Sequence, residues 1–117
     1  MIRKVAELSY EPRKNFRDGT GTVHFAEYLG KFEMSNLLIA GRITLEPGSS
    51  IGTHTHPDTE EIYLILEGHG QGNLDGAKFP VGPGDLFVCK AGHNHGLQNT
   101  TTSPLTIFTA MTEGQAK

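Results

Sequence analysis

The chain has 117 residues, 36% hydrophobic and 20% charged, a composition that fits one ordinary globular domain and excludes a disordered chain or a pair of domains. A net charge of −3 without a basic stripe argues against a general nucleic-acid binder, and no apolar run approaches the roughly 20 residues that span a bilayer. Cys89 is the only cysteine, so no intrachain disulfide marks an oxidising compartment, and a charged N-terminus without a signal-peptide core makes a soluble cytoplasmic protein the expectation.

Fifteen glycines and six prolines cut the chain into short runs, and none sustains a helical period. Residues 1–31 read as an N-terminal arm. Its basic residues Arg3, Lys4, Arg13, Lys14 and Arg17 read as solvated, and Arg17-Asp18-Gly19-Thr20-Gly21 is a turn-rich break. Residues 23–28 read either as an edge strand or as an arm exchanged with a partner subunit, with Val5, Leu8 and Tyr10 as apolar contacts. Residues 32–112 read as the folded body. A strand is expected over 34–45, ended by Glu46-Pro47-Gly48, and another over 51–56, stopped by Pro57-Asp58. A third covers 61–66 and ends at Gly68. Residues 71–74 and 77–79 flank Asp75-Gly76, a dipeptide suited to a type I′ hairpin turn because both central residues need positive φ. Strands over 86–89 and 105–111 complete the body, and 113–117 form a tail. Many short strands with close turn signals point to an antiparallel sandwich or barrel.

Three of the six histidines fall where strand geometry makes them useful. His54 and His56 are two apart, so their imidazoles share one face. The chain then turns through Pro57, Asp58 and Thr59 and returns through Glu60 and Glu61, one of whose carboxylates can face the same interior point. His95, in a segment opened by Gly92, completes a set of three nitrogens and one oxygen. Such a set suits Mn²⁺, Fe²⁺, Co²⁺, Ni²⁺ or Zn²⁺, and no cysteines are to hand for a thiolate site. Taken singly, each element has a plainer meaning: a surface polar pair, a solvated turn, a packed histidine.

The intervals between these residues resemble the two motifs of the cupin family. Gly48, His54-Thr55-His56, Glu61 and Gly68 stand at the spacing of the first, and Gly84, Gly92, His95 and Asn99 at that of the second. Lys90 stands where the family usually has proline, at a turn position that ligates nothing. The resemblance covers 32–112 and implies an all-β, double-stranded β-helix (jelly-roll) barrel. It selects Glu61 over Glu60 and His95 over His93, and so implies one divalent metal ion per chain, held by His54, His56, Glu61 and His95. It also implies pairing through strands into a homodimer, which would cover sheet edges.

In the cupins this ligand set serves dioxygenases, oxalate-converting enzymes, isomerases and lyases, and some members only bind small molecules. The expectation is a metal-dependent enzyme on a metal-chelating organic substrate, with oxygenase-type chemistry as one form of it and a non-catalytic binding or sensing cupin as the alternative. By strand parity Tyr63 and Ile65 share the inner face with Glu61, and Leu97 and Asn99 with His95. Tyr63 is the candidate catalytic proton donor, with a role as a wall residue beside it. Met34, Phe108 and Met111 read as core, with the pocket mouth as the alternative, which makes the pocket apolar with few fixed charges. Oxalate-converting cupins place an arginine three positions before the first histidine. Here that position is Ile51, with Arg42 on the preceding strand as the substitute if it faces inward. Glu61 speaks against the three-histidine cysteine-dioxygenase branch, Cys89 reads as a buried strand residue, and His93 as a residue of the pocket mouth.

Overall fold

The computed structural model describes residues 1–114, and among them ten strands carry the fold. In chain order they are β1 (Glu11–Lys14), β2 (Thr22–Leu29), β3 (Leu37–Leu45), β4 (Ser50–Thr55), β5 (Thr59–Glu67), β6 (Gly70–Leu74), β7 (Ala77–Val81), β8 (Leu86–Cys89), β9 (Asn94–Gln98) and β10 (Leu105–Glu113). Short 3₁₀ turns at Val5–Glu7 and Phe16–Asp18 punctuate the N-terminal residues. Among the described residues, no helix is long and apolar enough to cross a membrane.

The strands form two antiparallel sheets, a six-stranded one in the order β1-β2-β3-β10-β5-β8 and a four-stranded one in the order β4-β9-β6-β7. From β3 onward the chain changes sheet at every connection except the β6–β7 hairpin. That winding is the double-stranded β-helix expected from the sequence. Val23, Phe25, Ile43, Leu45, Ile51, Tyr63, Ile65, Val81, Phe87, Leu97, Leu105 and Ile107 fill the space between the sheets. On β5 the inward set is Glu61, Tyr63 and Ile65, the period-2 alternation of a strand with one face on a core.

The strand expected over 34–45 begins later, at Leu37, because Phe32 and Ser35 take left-handed φ of 62° and 43° and the Phe32 N–H donates to the Leu37 carbonyl at 2.7 Å. Met34, read as core, is therefore 59% exposed on this turn. The strand expected over 77–79 runs on through Pro80 to Val81. Proline is tolerated there because β7 is the outer strand of its sheet and pairs with β6 alone. Asp75 and Gly76 take φ of 51° and 84°, as a type I′ turn requires. Residues 11–29 extend the larger sheet of their own chain, β2 lying against β3 and β1 against β2. Of the expected tail over 113–117, residues 115–117 lie outside the described residues.

Candidate metal centre

Three strands bring four donors to one point. His54 lies on β4 and pairs in register with His95 on β9. His56 follows the end of β4, where its N–H donates to the His93 carbonyl at 3.0 Å and its carbonyl accepts from Gly92 N–H at 2.7 Å. Gly92 makes that return with a φ of 87°, which a side chain would resist. Glu61 rises from β5 in the facing sheet. His95 Nε2 lies 3.0 Å from His56 Nε2 and 3.1 Å from both His54 Nε2 and Glu61 Oε1, and Glu61 Oε1 lies 3.1 Å from His56 Nε2. His56, Glu61 and His95 are buried and His54 is half-buried. His54, His56, Glu61 and His95 thus form one group positioned for metal binding.

The outer contacts of the rings decide which nitrogen faces inward. His54 Nδ1–H donates to the Gly52 carbonyl at 2.7 Å, and that leaves its Nε2 without a proton. His56 Nδ1 contacts Thr59 Oγ1 at 2.8 Å. His95 Nδ1 is buried and has no partner among the described residues. Packing holds its ring instead: it stacks on Tyr63 at 4.4 Å between centroids and 22° between planes, with Phe87 at its edge. Thr109 Oγ1–H donates to Glu61 Oε2 at 2.5 Å and fixes the carboxylate from behind.

Electrostatics favour a cation at the point of convergence. Burial is the largest influence on His54 and, with the charges of His95, Arg17 and His56, outweighs its bond to Gly52, lowering its pKa to about 4. The imidazole is therefore neutral near pH 7, as a ligand must be. Burial alone would raise the Glu61 carboxyl, but hydrogen bonds from His56, His95 and Thr109 prevail and hold it at about 2. Nitrogen lone pairs that meet at 3.0–3.1 Å repel unless a proton or a cation lies between them. The spacing is compatible with one shared ion. With bonds of about 2.1 Å, ligand atoms at right angles sit roughly 3.0 Å apart, whereas a tetrahedral arrangement separates them by roughly 3.4 Å. The observed edges of 3.0 and 3.1 Å match the right-angled case.

A small cleft of about 110 Å³ opens beside this group, lined by Arg13, Phe16, Arg17, Phe25, Ile39, Ile43, His54, Glu61, Tyr63, Thr109 and Met111. Two expectations change here. Arg13 and Arg17, read as solvated arm residues, border the cleft, so it is not devoid of fixed charge. Arg42 does not face the centre: it lies on the outer side of the larger sheet, where its Nε–H donates to the Tyr10 hydroxyl at 3.2 Å and it borders a separate surface groove with Tyr28 and Phe108. Tyr63 lines the cleft and is buried, and burial, aided by the Glu61 charge, pushes its phenol well above the usual range. Met111 borders the cleft, and Phe108 packs against Tyr28 on the outer side.

The remaining polar residues take structural places. Asn99 is buried and ties the loop before β10, its amide donating to the carbonyls of Leu45, Glu46 and Ser103. His93 meets Asp75 at the β6–β7 turn, and His24 meets Glu46, both away from the cleft. Cys89 is buried, and burial pushes its thiol up to about 11. The Arg17 contribution had little signal in the sequence, since its contact with the cleft joins residues far apart in the chain. The nearest hint was the glycine at position 52, two residues before His54.

A family model for the cupin domain matches residues 41–111. An oxalate-binding protein of Thermotoga maritima is 36% identical to this chain over 106 residues, covering 90% of this chain and 88% of that protein. Among solved structures, one described as a predicted oxalate decarboxylase of Thermotoga maritima superposes with a TM-score of 0.93 at 32% identity, covering 97% of this chain and 99% of that one. KdgF of Halomonas has the same fold at a TM-score of 0.78 and 16% identity, covering all of this chain and 96% of its own.

Proposed function

The chain belongs to the cupin family, and from that premise we propose that it binds one divalent metal ion through His54, His56, Glu61 and His95 and there holds a small carboxylate of the oxalate class. The observation that carries this reading is the meeting of three imidazole nitrogens and one carboxylate oxygen, neighbours at 3.0–3.1 Å, beside a small cleft. His54, His56, Glu61 and His95 would hold the ion, and a bound ion would supply fixed positive charge for carboxylate oxygens to chelate. The size of the cleft selects a small ligand: about 110 Å³ is a few times the roughly 30 Å³ of one water in the liquid. It is also well below the roughly 300 Å³ at which pockets for drug-sized molecules begin.

Around the ion, the chain's residues act by holding and excluding. Gly52 and Thr59 orient His54 and His56 through their outer nitrogens, Thr109 holds Glu61, and Tyr63 sets the plane of His95. Phe25, Ile39, Ile43 and Met111 keep bulk water from the cleft wall and so strengthen each charge interaction inside it. Oxygenase-type chemistry rests on the ligand set alone. Carboxylate binding has in addition the oxalate-binding relative and the arginines bordering the cleft.

A second reading, decarboxylation of the same ligand, is favoured by the similarity to the predicted oxalate decarboxylase. In that reaction the carbon–carbon bond breaks, carbon dioxide leaves, and the electron pair stays on the carbon that a proton converts to formate. No net oxidant is required. Tyr63, a protonated phenol lining the cleft, is our candidate donor. Calorimetric titration of oxalate into manganese-loaded protein tests the first reading. Saturable heat supports it, and its absence from fully loaded protein contradicts it. Formate release under the same conditions tests the second. We also propose a homodimer, supported by the exposed Leu86 and Val88 on the edge strand β8; a monomer by light scattering at micromolar concentration would refute it.

A further inference from the structure

Resting on the carboxylate-binding reading, we propose that Arg17 is the specificity-determining residue of the site, its guanidinium receiving the far carboxylate of a small dianion held at the metal centre. Arg17 borders the cleft together with His54, Glu61 and Tyr63. It pairs with no carboxylate among the described residues. The other arm arginines are engaged. Arg3 bonds Glu33 at 2.8 Å, and the Arg13 guanidinium lies 4.5 Å over the Phe25 ring, whereas the Arg17 guanidinium stands further off, 5.9 Å from the Phe16 ring.

The backbone is built to present this one side chain. Asn15, Arg17 and Asp18 take left-handed φ of 51°, 55° and 62°, a conformation uncommon outside glycine and concentrated at ligand clamps and active sites. The bend is seated on the strand that carries His54. A Cβ on Gly52 would stand 2.0 Å from the Arg17 carbonyl oxygen, and one on Gly19 would stand 2.4 Å from the Ser50 carbonyl oxygen. The two backbones thus touch where any side chain would part them. The same Gly52 carbonyl accepts the His54 Nδ1 proton, so one residue seats the arm and orients a metal ligand.

Charge counting points the same way. A divalent ion beside the Glu61 carboxylate leaves a single positive charge, a dianion exceeds it by one, and one guanidinium restores neutrality. The planar fork of arginine also matches a carboxylate through paired N–H bonds, which an ammonium does not. Ile51, three positions before His54, is buried in the core, so that position of β4 supplies no charge. The arm supplies the charge from a different element.

The test titrates oxalate and its monoanionic amide, oxamate, into manganese-loaded wild type, Arg17→Gln, Arg17→Lys and, as a control on the outer face, Arg42→Gln. Manganese affinity is measured separately for each. Arg17→Gln is expected to weaken oxalate binding roughly ten- to hundredfold and to reduce the preference for oxalate over oxamate. Arg17→Lys should restore part of both, with manganese affinity unchanged throughout and Arg42→Gln matching wild type. Wild-type oxalate affinity in Arg17→Gln would overturn the role of Arg17 and leave the carboxylate-binding reading standing. Equal losses for both ligands together with weakened manganese binding would also overturn it, since that pattern marks a structural residue. If loaded wild type binds neither ligand, the carboxylate-binding reading fails and this inference fails with it.

Discussion

Replacing Gly52 by alanine tests whether the N-terminal bend is seated on β4. The added Cβ would stand 2.0 Å from the Arg17 carbonyl oxygen, 2.6 Å from Gly19 N and 2.7 Å from the Asp18 carbonyl carbon. All three are backbone atoms, so no side-chain rotation relieves the clash. Ordinary contact begins near 3.4 Å, and the two segments must separate by roughly 1.4 Å. That shift breaks the bonds from Thr20 N–H to Ser50 Oγ and from Ser50 N–H to the Thr20 carbonyl, each 2.9 Å long. Two such bonds contribute roughly 1 kcal/mol each, and overpacking typically adds 1–3 kcal/mol, so the docked arm should lose about 3–5 kcal/mol. If arm and barrel melt together, Tm falls by roughly 15 °C. If the arm lifts off alone, Tm moves less and the loss appears as local opening. Limited trypsin digestion separates the cases, because Arg17 is a cleavage site within the bend and Arg13 and Lys14 lie just before it on β1. The variant should be cut there markedly faster than wild type. An unchanged digestion pattern together with an unchanged Tm would refute the close backbone approach.

Three further outcomes follow from the same geometry. Manganese at a hundredfold excess over its Kd should stabilise the protein by about 2.7 kcal/mol; the resulting rise in Tm should vanish on chelation and be absent in Glu61→Gln, and a persistent rise in that variant would count against Glu61 as a ligand. Asn99→Ala removes the donor that serves the Leu45, Glu46 and Ser103 carbonyls and the acceptor that receives the Thr101 N–H and hydroxyl. It should cost about 2–4 kcal/mol in urea unfolding, and a loss below about 1 kcal/mol would contradict that role. Cys89 has its thiol raised to about 11 by burial, so at pH 8 it is protonated and shielded, and thiolate grows only as pH climbs towards that value. Iodoacetamide should leave it unmodified in the native protein and label it after denaturation; alkylation of native protein at the rate of a free thiol would disprove the shielding.

Much of the barrel and all four donors of the central group were legible in the sequence because the constraints on them are local. His54 and His56 share a face by strand parity, and Asp75-Gly76 and Gly92 mark turns that require positive φ. The intervals between glycines and histidines then carry the family pattern. What escaped is non-local. The arm reads as solvated because its seat is an approach of two backbones, at 17–19 and 50–52, whose trace in the sequence is a pair of glycines. The positive charge bordering the cleft, on Arg13 and Arg17, comes from earlier in the chain than the fixed strand offset at Ile51. Met34 joins no core because the left-handed φ values at Phe32 and Ser35 put it on a turn, which an apolar tally does not register. Arg42 needed the paired sheet to show its outward face.

The most direct test of the central claim is metal content by mass spectrometry in protein purified without a nickel column, beside a His95→Ala control. The account predicts about one divalent first-row ion per chain in the wild type and its loss in the control. Wild-type protein that carries no metal as purified and takes up none on reconstitution would contradict the assignment of His54, His56, Glu61 and His95 as a metal site.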